Sequence, residues 1–132
     1  MPFIAQLILV MMLSALLSPA SAEPSFGTAA ICRAAIASIA DRDPKAVQVS
    51  QTVGDVLFLT YLRPIDNFVW TYRCRVADNR IIWAIDPGRW RDQTGDDQVF
   101  FEVVGASKQL RIIARHGDGS TTNQLFERDA IF

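Results

Sequence analysis

Eleven of the thirteen basic side chains are arginine, the cation suited to bidentate carboxylate recognition and to stacking on aromatic rings. Gly88-Arg89-Trp90-Arg91 sets a large amphipathic ring between two guanidiniums, and tryptophan and arginine are enriched at binding hot spots. Arg73 and Arg75 share one side of an alternating stretch, and Arg111 and Arg115 share one side of a later one. If those sides coincide, the molecule presents an arginine-rich face. Arg89, Trp90, Arg91, Arg73 and Arg75 are therefore the candidate partner-binding residues. A structural reading competes with this one. In it Trp90 folds back over a sheet edge to cover apolar surface, Arg89 and Arg91 pair with Asp86, Asp92 or Asp97, and the outward arginines form solvated cross-strand pairs with Glu102 or Thr71.

The types needed for catalysis are sparse. Histidine is the usual general base near neutral pH, and the chain has one, His116, ahead of a glycine-rich turn. Ser120 and Thr121 are its nearest hydroxyls, but neighbours at a hairpin tip do not make a positioned triad, so His116 reads as a solvated turn residue. Asp92, Asp96 and Asp97 share one irregular segment, while Asp41 and Asp43 follow a helix. The alternating Asp/Asn pattern ending in Glu that marks a calcium loop is absent. Gly117-Asp118-Gly119 has no helix after it and reads as a hairpin turn rather than a phosphate cradle. The expectation is no catalytic set, no metal site and no cofactor, hence not an enzyme. A carboxylate-dependent hydrolase using Asp92, Asp96 or Asp97 is the remote alternative.

A formal charge of −1 over 132 residues argues against nucleic acid as the main partner, because phosphate binding shows as a basic excess. Residues 3–17 are almost wholly apolar, and Pro19-Ala20-Ser21-Ala22 supplies the Ala-x-Ala pattern of signal-peptidase cleavage before Glu23. No Lys or Arg precedes the apolar run, which leaves an uncleaved anchor as the alternative. The run is too short for a comfortable transmembrane span. The organisation expected is a signal peptide over 1–22 and a single domain over 23–132, periplasmic or secreted, with no stable membrane span after cleavage.

Two cysteines in an exported chain read most simply as one disulfide, Cys32 to Cys74, with two buried thiols as the alternative. A single distant His116 gives them no zinc-ligand spacing. Cys32, Ile36 and Ile39 recur at helical period with Ala29, Ala35 and Ala40 beside them, so a helix begins near Ser25 or Thr28. It stops near Arg42, because Pro44 pushes Asp43 out of helical geometry. Phe68, Trp70, Tyr72, Cys74 and Val76 then alternate with Val69, Thr71, Arg73 and Arg75 as a half-buried strand. Further strands are expected around Val47 to Ser50, Val56 to Leu62, Arg80 to Ile85, Gln98 to Val104, Gln109 to Arg115 and Thr121 to Phe126. Short turns such as Gly54-Asp55 and Asp78-Asn79 join them into an antiparallel meander. The fold class expected is α+β: one N-terminal amphipathic helix packed on an antiparallel meander sheet of five to seven strands, stapled to it by the disulfide.

Tyr72-Arg73-Cys74, Ile82-Trp83, Gly88-Arg89-Trp90-Arg91 and Asp118-Gly119-Ser120, behind a helix carrying Cys32, resemble a pattern in small exported bacterial proteins of unknown function. The resemblance spans most of the chain after residue 22. It implies a single-domain periplasmic or secreted protein, and no activity, cofactor or site residue. Small disulfide-stapled domains without a catalytic set often act as inhibitors, adaptors or envelope accessory factors. The function expected is thus a small exported binding module for a protein or peptide partner, with a cell-envelope glycan or small acidic ligand as the alternative.

Overall fold

The computed structural model describes residues 26–132. The expected signal segment, its cleavage site and Ser25 lie outside the described residues. Helix α1 spans Thr28–Ala40, and strands β1 to β7 span Val47–Val53, Val56–Arg63, Phe68–Ala77, Arg80–Ile85, Gln98–Val104, Gln109–Arg115 and Thr121–Glu127. A single helical turn, α2, closes the chain over Arg128–Ile131. The strands form one seven-stranded sheet in sequence order, and every neighbouring pair is antiparallel. The helix lies at Thr28–Ala40 rather than at the extreme N-terminus.

α1 stops two residues short of the expected Arg42. Asp41 takes a left-handed conformation at φ 54°, where a short polar side chain is tolerated, and the Arg42 N–H donates back to Ala37 O at 2.8 Å. The start carries no side-chain cap, because Gly27 occupies that position. Packing compensates for the poor capping. Ala34, Ala35, Ile36 and Ala37 are fully buried, so the helix lies close on the sheet along its small side chains. Arg33, midway along the helix, ties it to the start of β1 by donating from Nε to Val47 O at 2.9 Å.

Strand parity sorts the sheet into two faces. Leu57 and Leu59, Tyr72 and Cys74, Ile81, Val99, Leu110 and Ile112, and Phe126 are buried with α1. Cys74 is bonded to Cys32 across 42 residues of sequence, and both cysteines are fully buried. β4 and β5 pair at only two positions, Arg80 with Phe100 and Ile81 with Val99. Beyond Ile81 the two strands part, and residues 86–97 run alongside β4, where the Arg91 N–H donates to Trp83 O at 2.8 Å. Gly88 is required in that segment, since a Cβ there would meet Ile85 O at 2.5 Å.

Candidate functional site

The face turned away from α1 carries the arginines. Register pairs Arg73 with Ala84, Arg75 with Ile82, and Ala77 with Arg80, then Arg80 with Phe100. It next pairs Gln98 with Arg115 and Glu102 with Arg111. Cross-strand partners share a face, so Arg73, Arg75, Arg80, Arg111 and Arg115 all project from the same side. The two arginine pairs singled out in the sequence do coincide.

The 86–97 segment is laid across part of this face. The Trp90 ring sits beneath two guanidiniums, 4.7 Å from that of Arg73 and 5.3 Å from that of Arg75, within cation–π range. Ile82 and Ala84, which face outward by register, are 7% and 0% exposed, consistent with cover from the Trp90 side. Trp90 is half-buried, on the outer face beside Arg73 and Arg75 and not over the helix-side core. Arg73 fixes the segment by donating to Gly88 O and lying 3.5 Å from Asp86.

Arg89 reaches neither Asp86, Asp92 nor Asp97. Its two terminal nitrogens take both oxygens of Asp96, at 2.6 and 2.8 Å. This fork, with the Gln93 N–H at 3.1 Å, holds the Asp96 carboxyl down at about 2 from an ordinary 3.8. A carboxyl that stays ionised to such low pH is the wrong proton donor for general-acid hydrolysis. Arg91 turns its guanidinium over the Trp83 ring at 5.8 Å. Of the sequence candidates, the structure brings Trp90, Arg73 and Arg75 into one cluster. Arg89 is spent within the loop, and Arg91 is directed to Trp83.

Sequence reasoning missed Arg80, which has the parity of Ile82 and Ala84 in β4 and is placed on this face by its pairing with Ala77 and Phe100. Among the described residues no ion pair joins Arg75, Arg80 or Arg115, and the buried Nε of Arg80 has no hydrogen-bond partner. Arg80 and Arg115 line a cleft of about 270 Å³, walled on one side by residues 92–96. Arg111 is different, lying 3.4 Å from Glu102 as the solvated-pair reading expects.

His116 is more than a solvated turn residue. Its Nδ1 lies 2.9 Å from Asp97 Oδ2 and its Nε2 lies 3.0 Å from Thr122 Oγ1. The hydroxyl it meets is therefore that of Thr122, not of Ser120 or Thr121. Ser120 bonds instead to Asp118, its N–H donating at 2.9 Å. Among the described residues no group of three or more His, Cys, Asp or Glu side chains is placed to hold a metal ion, and no helix is long and apolar enough to cross a membrane. No protein-family model, curated protein or solved structure gives a significant match to this chain.

Proposed function

We propose that the protein is an exported binding module that takes an acidic protein or peptide partner on the sheet face opposite α1. The observation that carries this reading is the placement of Arg75, Arg80 and Arg115 on one face with no carboxylate among the described residues joined to them. Of the three, Arg115 is exposed and Arg75 and Arg80 are half-buried, and accessible charge of one sign steers an acidic partner and sets its orientation. Trp90, within cation–π range of both Arg73 and Arg75, gives the surface an aromatic centre of the kind that carries binding energy. The disulfide between Cys32 and Cys74 fits an oxidising compartment, periplasmic or extracellular. The reading includes no catalytic step and no cofactor.

A second reading, a glycan fragment or small acidic ligand from the cell envelope, is favoured by one observation. The cleft lined by Arg80 and Arg115, with Asp92 and Asp96 also in its lining, has a volume of about 270 Å³, close to the lower end of ligand-sized pockets, about 300 Å³, and its mixed charge suits a polar glycan better than a strongly acidic ligand.

Cross-linking capture from the native envelope fraction separates the two. The wild type is expected to retain a stoichiometric partner whose yield falls as salt rises, and a folded Arg75→Glu/Arg115→Glu variant is expected to lose it. A partner retained equally by both forms overturns the site. A purified acidic muropeptide that binds the wild type where no protein is captured selects the second reading.

A further inference from the structure

The sheet has two outer strands, β1 and β7, and only β1 is protected. It is interrupted by a bulge between Val49 and Gln51, a device that turns an edge away from further pairing. β7 has none: its register on β6 runs without a break from Gln109 with Glu127 to Arg115 with Thr121. Thr121, Thr122, Asn123, Gln124 and Leu125 are all exposed, with no charge and no proline among them. Among the described residues no strand pairs with β7 beyond β6. An uninterrupted, uncharged edge of this kind is a template for a further strand.

The phase of the backbone hydrogen bonds fixes which groups are free. At the two ends of the β6–β7 ladder, the Arg128 N–H donates to Lys108 O and the His116 N–H to Ser120 O, both at 2.8 Å. Bonded positions alternate along an antiparallel pair. Thr122, Gln124 and Phe126 therefore bond to β6, while Thr121, Asn123, Leu125 and Glu127 turn their backbone N–H and C=O groups outward. A second β7 running antiparallel can meet all of these outward groups in one register only, centred on Gln124. That register sets Thr121 against Glu127 of the other copy and Asn123 against Leu125, each pair exchanging two hydrogen bonds. The two Gln124 side chains then meet at the twofold axis.

We propose that the protein pairs with a second copy of itself through the outer edge of β7. Charge favours that occupant. Glu127, the sole charged residue of β7, comes to lie opposite a neutral threonine and in the same cross-strand row as Arg115 of the other copy. Two strand spacings, about 10 Å, separate them, a range over which opposite charges still attract at ordinary salt. No like charges are opposed along the seam. Because the axis runs perpendicular to the sheet, both α1 helices fall on one side and both arginine faces on the other, so the two faces join into one surface. The pairing does not depend on what that surface binds.

Sedimentation and backbone amide exchange test the seam. The wild type is expected to show a monomer–dimer equilibrium, with the amides of Thr121, Asn123 and Leu125 gaining protection as protein concentration rises. Asn123→Pro removes an outward N–H that β6 does not use, a position where an edge strand tolerates proline. It deletes two hydrogen bonds by symmetry and is expected to weaken association about a hundredfold, at about tenfold for each bond. The urea midpoint of the dilute monomer is expected to stay that of the wild type. Gln124→Cys sits at an unbonded pair, where antiparallel Cα atoms approach to about 4.5 Å, and is expected to form an interchain disulfide under mild oxidation. A wild type that stays monomeric up to its solubility limit overturns the proposal and leaves the edge to an extended strand of another protein. A dimer that Asn123→Pro leaves intact overturns it too, as do outward β7 amides protected at every concentration, which would place the covering segment within the same chain. Where Asn123→Pro does not fold, Gln124→Cys decides, because a dimer that forms no crosslink has another seam.

Discussion

Under α1, Leu59, Cys74, Leu110 and Ile112 are no more than 1% exposed, and the same strands send Thr60, Arg73, Arg75, Arg111 and Ile113 to the other side. The first face is closed by a helix whose small side chains permit close approach. The second is closed only in part, by a loop whose tryptophan lies under two arginines. One face therefore fixes the fold by excluding water, whereas the other keeps charged groups at the surface, where they remain available to a partner. If that division is right, damage to the helix face should appear as lost stability, and damage to the arginine face as lost recognition with the fold intact.

The largest effect tests the helix face. Replacing Cys32 and Cys74 with serine removes a crosslink across 42 residues of sequence, which on the chain-entropy account stabilises by about 4 kcal/mol. Both positions are fully buried, so two hydroxyls would also be left without water. Urea unfolding of the double variant is expected to show a loss at least that large. A loss under about 1 kcal/mol, no more than an ordinary substitution of about 0.5–3 kcal/mol costs, would mean that the helix is held by packing alone.

A paired comparison tests the division directly. Leu59→Ala empties a fully buried position and is expected to cost about 3 kcal/mol. Trp90→Ala removes two partly exposed cation–π contacts and some cover over Ile82, and is expected to cost about 1 kcal/mol. Equal losses in urea unfolding would show that the outer layer is a second core, and Trp90 would then be structural rather than a recognition residue.

The sequence carried much of this because parity and turn chemistry are local. The strands, expected to number five to seven, are legible in alternation, in the continuous apolar run over Val56 to Leu62 and in breaks such as Gly54-Asp55, and Asp78 does take positive φ, at 54°. The pairing of Cys32 with Cys74 followed from composition. What was not legible depended on register between strands distant in sequence. Whether Arg75 and Arg115 share a face is settled by the ladders from β3 to β6, and no short-range pattern encodes those. Arg89 meets Asp96 rather than Asp86, Asp92 or Asp97 because the loop between β4 and β5 curls back on itself, and an irregular segment has no periodicity from which to read that curl. His116 looked solitary because Asp97 and Thr122 meet it only after β5, β6 and β7 are aligned. One signal was available and went unused: His116 has the parity of Ile112 and Ala114, which points it toward the helix side.

The smallest effect concerns how the loop keeps its shape. Asp96 titrates at about 2 rather than 3.8 because Arg89 grips both its oxygens and the Gln93 N–H adds to them. A folded-state value below the unfolded one means the interaction contributes fully above the unfolded value of about 3.9 and is lost as pH falls through the folded one. The window for that loss therefore lies between about pH 4 and pH 2. In Arg89→Gln the bidentate ion pair is gone while the Gln93 N–H remains, so the Asp96 carboxyl resonance is expected to titrate well above its wild-type midpoint, though still below 3.8. Because the pair contributes at neutral pH but is solvent-screened, the urea midpoint of Arg89→Gln is expected to fall slightly there and to meet that of the wild type as pH drops toward 2. If the Asp96 midpoint stays near 2, the fork does not form in solution. Arg89 would then be released to join Arg73, Arg75 and Trp90 on the arginine face, while Arg91 stays directed to Trp83.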